Sequence, residues 1–299
     1  MSMNGSDGVT GSDLPGSDAA QRATFAAAYQ KLLANRTAAV ESIELSSDFG
    51  VTRVHASGPT DAPAVVLVHA YQATSGEWNE LADLLSTDHR VYAVDMMGDA
   101  GFSVPGNRAI ATPEDLVAYL DTVLDGLAVD RVELCGHSFG AWIALTYALA
   151  RPSRVNRLVL LDPTMCFGPL LKGYVLRAIP AMMQPSSDRR LSLIRWESRR
   201  APLDQAWLDA TGPAADAFRG MPTVPTRIPA KDVVAKLEPE LLVILAERSR
   251  VIQARAIAKR TGTRLPDARV EIVAGASHYG LPITHATEIA ALLRRPTGT

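Results

Sequence analysis

Val132-Glu133-Leu134-Cys135-Gly136-His137-Ser138-Phe139-Gly140-Ala141 is the segment around which the rest of the chain is organised. An extended run, Arg131 to Cys135, meets a helical run, Phe139 to Ala150, with one serine at the corner. A serine at so tight a strand-to-helix turn adopts a strained backbone, and its neighbours two positions away must be small for strand and helix to approach. Gly136 and Gly140 stand at those two places and have no Cβ to clash. The turn lifts the Ser138 hydroxyl clear of the sheet. It also directs the free N–H groups and positive dipole end of the helix at the place where an oxyanion would form.

Outward from this corner the chain alternates. Ala64 to Val68 is a continuous apolar run of the kind buried on both faces of a parallel sheet. Similar runs are Val91 to Val94, Val132 to Cys135, Leu158 to Leu161, Leu241 to Leu245 and Val270 to Val273. Helical patterns separate them at about Gly76–Ser86, Pro113–Leu127, Phe139–Ala150, Val251–Thr261 and His285–Leu293. The alternation predicts an α/β fold with a doubly wound, mostly parallel sheet. Ligands bind such sheets at the carboxyl ends of the strands, and Ser138 follows one such end.

Upstream, Glu41 to Leu45 and Val51 to His55 alternate around Asp48-Phe49-Gly50 and read as a hairpin. Ala19 to about Val40 reads as a helix capped by Asp18, with Phe25, Tyr29, Leu32 and Leu33 at helical spacing. Residues 1–18 carry almost nothing to bury and are expected to form a disordered tail. The rhythm breaks after the sixth strand. Residues 163–239 are rich in proline and show no clear strand, with large apolar groups scattered at Met165, Phe167, Tyr174, Met182, Met183, Trp196, Trp207 and Met221. They read as a helical cap over a pocket, inserted into a core of residues 19–162 and 240–299.

Composition narrows the function. Apolar residues make up 47% of the chain, charged residues 21%, and the net charge is −2. That balance gives no field to favour nucleic acid or an anionic membrane. No uncharged apolar run reaches the roughly 18 residues that span a bilayer, and no signal peptide opens the chain, so a cytoplasmic location is expected. Cys135 and Cys166 are too few for a disulfide scaffold, and Cys135 reads as an inert core thiol. There is no His/Cys cluster at metal-ligand spacing and no phosphate-binding glycine loop, so neither metal nor cofactor is expected.

A serine nucleophile needs a base, and usually an acid that orients the base. Of His55, His69, His89, His137, His278 and His285, only His278 lies on a loop after the last strand, in Val273-Ala274-Gly275-Ala276-Ser277-His278. Together these motifs resemble the α/β-hydrolase family from about Ala19 onward. They are His69 opening the loop after the third strand, Asp95-x-x-Gly98 with Gly101-x-Ser103, the Gly136–Gly140 elbow, and Gly275-x-x-His278. The stretch Asp95 to Gly101 is similar to a bacterial carboxylesterase-like branch with an extra N-terminal helix. The resemblance implies serine-dependent hydrolysis of a small-molecule ester, thioester or related acyl bond without a cofactor. It implies an oxyanion hole from the N–H groups of Tyr71 and Phe139, and a substrate site near His69, Ala70, His137, Met165 and Trp196.

Two positions depart from the family pattern. His69-Ala70 stands where the family has His-Gly; a methyl there restricts the backbone but removes no donor. His69 itself reads as a loop anchor. More consequential is Ala246-Glu247-Arg248-Ser249, which puts serine where the family's acid falls. A triad without its acid can lose about 10⁴ in rate. Three readings follow: Asp162 at the preceding strand end supplies the acid, Glu247 reaches instead, or Ser138 and His278 form a dyad. The dyad keeps a non-hydrolytic acyl transfer, cyclisation or lyase step open, and beyond that a non-catalytic binding role. Six arginines between Arg177 and Arg200 face only Asp188 and Glu197. They read as a solvated basic face, or as a dock for the anionic arm of a thioester substrate.

Overall fold

The alternating segments assemble, in a computed structural model that describes residues 18–218 and 224–295, into one nine-stranded sheet among those residues. The strands are β1 (Glu41–Ser47), β2 (Gly50–Ser57), β3 (Ala64–Val68), β4 (Arg90–Val94), β5 (Val104–Pro105), β6 (Val132–His137), β7 (Val155–Leu161), β8 (Glu240–Ala246) and β9 (Arg269–Val273). Their order is β1-β2-β4-β3-β6-β7-β8-β9, with β5 paired to β2. β1, β2 and β4 pair antiparallel, and every pair from β4 through β9 is parallel. The helices are α1 (Ala19–Ala34), α2 (Asn79–Leu85), α3 (Pro113–Gly126), α4 (Phe139–Ala150), α5 (Lys172–Met183), α6 (Ser187–Glu197), α7 (Gln205–Ala217), α8 (Lys231–Val234), α9 (Ala254–Arg264), α10 (Gly280–Thr284) and α11 (Ala286–Leu293).

The central parallel strands are largely apolar because both faces of the sheet are covered there, whereas β1 and β9 at the edges carry polar residues and are partly exposed. On β3, Val66 and Val68 join the cluster that holds Leu120 of α3, Trp142 of α4 and Ile257 of α9. Their neighbours Val65 and Leu67 point the other way, into the cluster with Leu81 of α2 and Ile289 of α11. Between β7 and β8 the chain leaves the sheet and forms α5 to α8. Within this insert α7 packs on α1: Phe218 meets Phe25 edge-to-face at 5.0 Å, and Trp207 and Leu208 share their cluster.

Several boundaries differ from the sequence reading. α1 ends at Ala34, not near Val40, because the Asp83 carboxylate takes hold of the next residues: it accepts from the Arg36 side chain and, at 2.7 Å, from Thr37 N–H. β5 adds a ninth strand that two residues, one of them proline on an edge, could not announce, so the insert follows the seventh strand. α9 starts at Ala254 instead of Val251, since Ser249 Oγ accepts from the N–H groups of Val251 and Ile252. The last expected helix appears as α11, and a further short helix, α10, precedes it before His285. Residues 1–17 of the expected tail, and Met221 of the insert, lie outside the described residues.

One buried carboxylate ties α1 to the sheet. Asp95, at the end of β4 and wholly buried, accepts from Tyr29 Oη at 2.6 Å, Ser75 N at 3.0 Å and Phe102 N at 2.8 Å. Burial alone would raise its pKa, but His55 and these hydrogen bonds outweigh that and lower it from the ordinary 3.8 to about 2. Gly101, at φ +148°, lies so close that a Cβ would sit 2.5 Å from Asp95 Cγ. Tyr29→Phe removes a bond to a charged acceptor and is expected to cost about 1.5–3 kcal/mol in urea melts at pH 7. Because the folded-state pKa is depressed, the stability Asp95 supplies is complete above pH 3.8 and declines towards pH 2. The gap between wild type and variant is therefore expected to narrow over that interval.

Candidate active site

At the corner between β6 and α4, Ser138 has φ 57° and ψ −113°, a region L-residues rarely occupy. The two glycines make this possible. A Cβ on Gly136 would fall 2.3 Å from Gly140 O, and one on Gly140 would fall 2.2 Å from Val68 O. Strand, turn and helix thus touch backbone to backbone. Ser138 N–H donates to Leu161 O at 3.0 Å, which fixes the turn against β7.

The structure brings Ser138, His278 and Asp162 together. Ser138 Oγ lies 2.9 Å from His278 Nε2, and His278 Nδ1 lies 2.6 Å from Asp162 Oδ2. A carboxylate only accepts, so Nδ1 carries the imidazole proton and Nε2 is free to accept from the serine hydroxyl. Asp162, completely buried at the end of β7, also accepts Ala246 N–H on Oδ1 at 3.0 Å. Ser249 Oγ donates to Asp162 Oδ2 at 2.7 Å. The serine at the family's usual acid position is therefore a hydrogen-bond donor to an acid arriving from the neighbouring strand. Glu247 is exposed and accepts Gly275 N–H at 2.9 Å, bracing the histidine loop from outside.

The N–H of Phe139 begins α4, and Tyr71 follows β3; their rings meet edge-to-face at 6.1 Å. Neither amide is taken by a hydrogen bond among the described residues. The loop carrying Tyr71 is held from several sides. Ala70 N–H donates to Glu77 Oε1 at 2.9 Å, and Gln72 N–H donates to Asp99 Oδ2 at 3.0 Å. His69 has both nitrogens occupied, with Nε2 accepting from Met96 N–H at 3.0 Å and Nδ1 donating to Ala70 O at 2.8 Å. His137 lies under the site, its ring 4.8 Å from that of His278, with Nε2 donating to His278 O at 3.2 Å and Nδ1 3.3 Å from Glu77 Oε2. Glu77 thus joins the Tyr71 loop to the support of His278.

Sequence reasoning missed two residues of α6. Arg190 and Glu197 are seven residues apart, two helical turns, and both point inward. Glu197 is wholly buried, and its carboxylate accepts three main-chain N–H groups, from His278 and Arg250 at 3.0 Å and Tyr279 at 3.3 Å. Arg190 donates to Tyr71 O at 3.2 Å and Gln72 O at 3.3 Å, and its guanidinium lies 5.2 Å from the Tyr279 ring centre. Arg190 is thereby removed from the basic face on which the sequence reading had put it. The spacing was visible, but nothing in a run of mixed charges says which of them face inward.

Beside the Tyr71–Phe139 pair lies a cavity of about 260 Å³, lined by apolar groups including Met96, Met97, Leu116 and Ile143, with Asp99 in its wall. Desolvation raises the Asp99 carboxyl, against the opposing effects of His69 and hydrogen bonds from Ala100 and Gln72, to about 6. Of the expected substrate residues, His69 lines this cavity; Ala70, His137, Met165 and Trp196 do not. Met165, at φ +57°, packs partly buried against the main core. Trp196 lies under the Arg250 guanidinium at 4.7 Å and faces an outer groove with Arg177, Arg195 and Arg200.

Residues 65–292 match the model of the alpha/beta hydrolase family, and the chain belongs to that family. It is similar to the carboxylesterase YbfK of Bacillus subtilis, 26% identical over 262 residues that cover 85% of this chain and 87% of the relative. An uncharacterized carboxylesterase of the same organism, nap, is 26% identical over 80% of each chain. The solved structure of naproxen esterase from Bacillus subtilis superposes with a TM-score of 0.83, covering 92% of this chain and 97% of the other at 23% identity. That likeness speaks to the fold.

Truncating Glu197 would strand three main-chain donors, each costing about 1–3 kcal/mol when left unpaired. Glu197→Ala is expected to lower unfolding stability by about 3 kcal/mol or more. It should also speed amide exchange at His278 and Tyr279. Glu197→Gln, which retains an acceptor oxygen, is expected to lose less on both measures, and an unchanged exchange rate in the alanine variant would contradict the assignment.

Proposed function

We propose that this protein is a serine carboxylesterase that cleaves small, partly apolar esters through an acyl-enzyme on Ser138. The observation that carries the reading is the unbroken chain Ser138 Oγ–His278 Nε2 at 2.9 Å and His278 Nδ1–Asp162 Oδ2 at 2.6 Å, with the serine on a positive-φ elbow. The carboxylesterase relatives support the same bond class.

The steps follow from proton positions. Ser138 Oγ attacks the ester carbonyl carbon while its proton passes to His278 Nε2, and Asp162 stabilises the imidazolium so formed. The carbonyl oxygen becomes an oxyanion, received by the N–H groups of Tyr71 and Phe139. The tetrahedral adduct collapses, the C–O bond to the alcohol breaks, and His278 returns its proton to the leaving alkoxide. Water then enters, loses a proton to Nε2, and releases the carboxylic acid from Ser138 by the same sequence in reverse. The cavity beside Tyr71 and Phe139 takes an apolar portion of the substrate; its volume of about 260 Å³ suits a compact group. We read residues 163–239 as the roof of this site, with Arg190 and Glu197 seating it on the two loops below. His69 and His137 hold the surrounding loops and transfer no proton.

Hydrolysis of p-nitrophenyl acyl esters tests the reading. Asp162→Asn is expected to lower kcat by about 10⁴. Ser249→Ala removes one bond to the carboxylate and is expected to cost roughly 10- to 100-fold, the equivalent of a charged hydrogen bond. Glu247→Gln should stay within a few-fold of wild type. A collapse in Glu247→Gln with an active Asp162→Asn would reassign the acid, and a folded wild type inert on every ester would end the esterase reading.

A further inference from the structure

Nine large apolar side chains are notably exposed among the described residues, and six of them belong to α5 and its N-cap: Leu171, Val175, Leu176, Ile179, Met182 and Met183. Leu176, Met182 and Met183 are 70%, 62% and 78% exposed. At about 100° per residue the six fall within an arc of roughly 140°, so this is one helix face and not scattered exposure. The opposite face is seated: Ala178 and Ala181 are buried against Leu193 of α6, and Tyr174 Oη lies 3.1 Å from Tyr279 Oη.

Charge distinguishes this face further. The whole chain carries −2, yet residues 172–200 hold seven cations against Asp188 and Glu197, and Glu197 and Arg190 are buried. That leaves Lys172, Arg177, Arg189, Arg195, Arg199 and Arg200 exposed, with Asp188 the one exposed acid in the segment; Arg177, Arg189 and Asp188 line a groove with Leu176, at one edge of the apolar arc. α5 itself contains no acidic residue, and Lys172 sits within the arc.

We propose that α5 is a docking helix for an anionic lipid surface. An apolar helix face bordered by lysine and arginine lies in the headgroup boundary, its apolar groups entering the acyl layer while the cations meet lipid phosphates. Flexible methionines suit a fluid partner that offers no fixed pockets. Two copies of this chain meeting on the same face would instead bring Lys172 and the neighbouring arginines of one against those of the other, which disfavours self-association. No helix among the described residues is long and apolar enough to cross a membrane, so the contact is peripheral. Once docked, α5 stands between the lipid and Tyr279, the residue after His278. Docking does not depend on the hydrolytic reading; only its use, supplying apolar esters to Ser138, does.

Vesicle co-sedimentation of the full chain tests this, with phosphatidylglycerol–phosphatidylcholine vesicles against pure phosphatidylcholine at low and high salt. The variant is Leu176→Glu with Met183→Glu, at positions so exposed that folding is not at risk; matched melting curves and light scattering accompany both proteins. Wild type is expected to bind the anionic vesicles at least tenfold better than the neutral ones, to release with salt, and to lose binding in the double variant. Absent binding, or binding that the variant retains, overturns the proposal. So does a wild-type dimer that the substitutions dissociate while lipid captures neither protein, and that result would assign the face to a second copy.

Discussion

A strained serine governs this molecule. Ser138 can hold φ 57° only while Gly136 and Gly140 let β6, α4 and the end of β3 meet without a Cβ between them. The same contacts place α4 against the parallel strands and leave the Phe139 N–H beside Ser138 without a partner among the described residues. Strain of this kind persists only where the surroundings over-determine it. Here they do so through the Ser138–Leu161 main-chain bond and through β6, whose neighbours β3 and β7 are themselves covered on both faces.

Around that corner, loops from distant parts of the chain are held by buried charges that bind main chain more than one another. Asp95 gathers α1 and the loops around Ser75 and Phe102, Glu77 joins Ala70 to His137, and Glu197 holds the His278 loop. These carboxylates are met mostly by N–H and O–H donors, with an imidazole beside two of them, His55 at Asp95 and His137 at Glu77. The insert is tied to the core at two loops. Through Arg190 and Glu197, one helix touches both the loop of Tyr71 and the loop of His278. Removing it would unseat both.

Much of this was legible in the sequence for physical reasons. Apolar runs buried on both faces of a parallel sheet leave little room for polar residues, so β3, β4, β6, β7 and β8 announced themselves, and β9, at the edge, through Val270, Ile272 and Val273. The elbow glycines are the only side chains that fit, so the turn was readable too. What stayed hidden depends on direction. Ser249 occupies the family's acid position, and a linear reading could not say that its hydroxyl would turn to Asp162, one strand away. Trp196 and Arg190 lie six residues apart on α6, yet one faces an outer groove and the other the core. The pattern of mixed charge in that helix does not separate them. Met182 and Met183 of α5 likewise read in the sequence as apolar groups of a cap over a pocket, because composition does not say which side of a helix is covered.

If Ser138 is an activated nucleophile, a fluorophosphonate reacts with it, and intact-mass analysis reads the product. One covalent adduct is expected on the wild type and none on a folded Ser138→Ala variant. An unlabelled wild type, or an adduct that survives in Ser138→Ala, would contradict it.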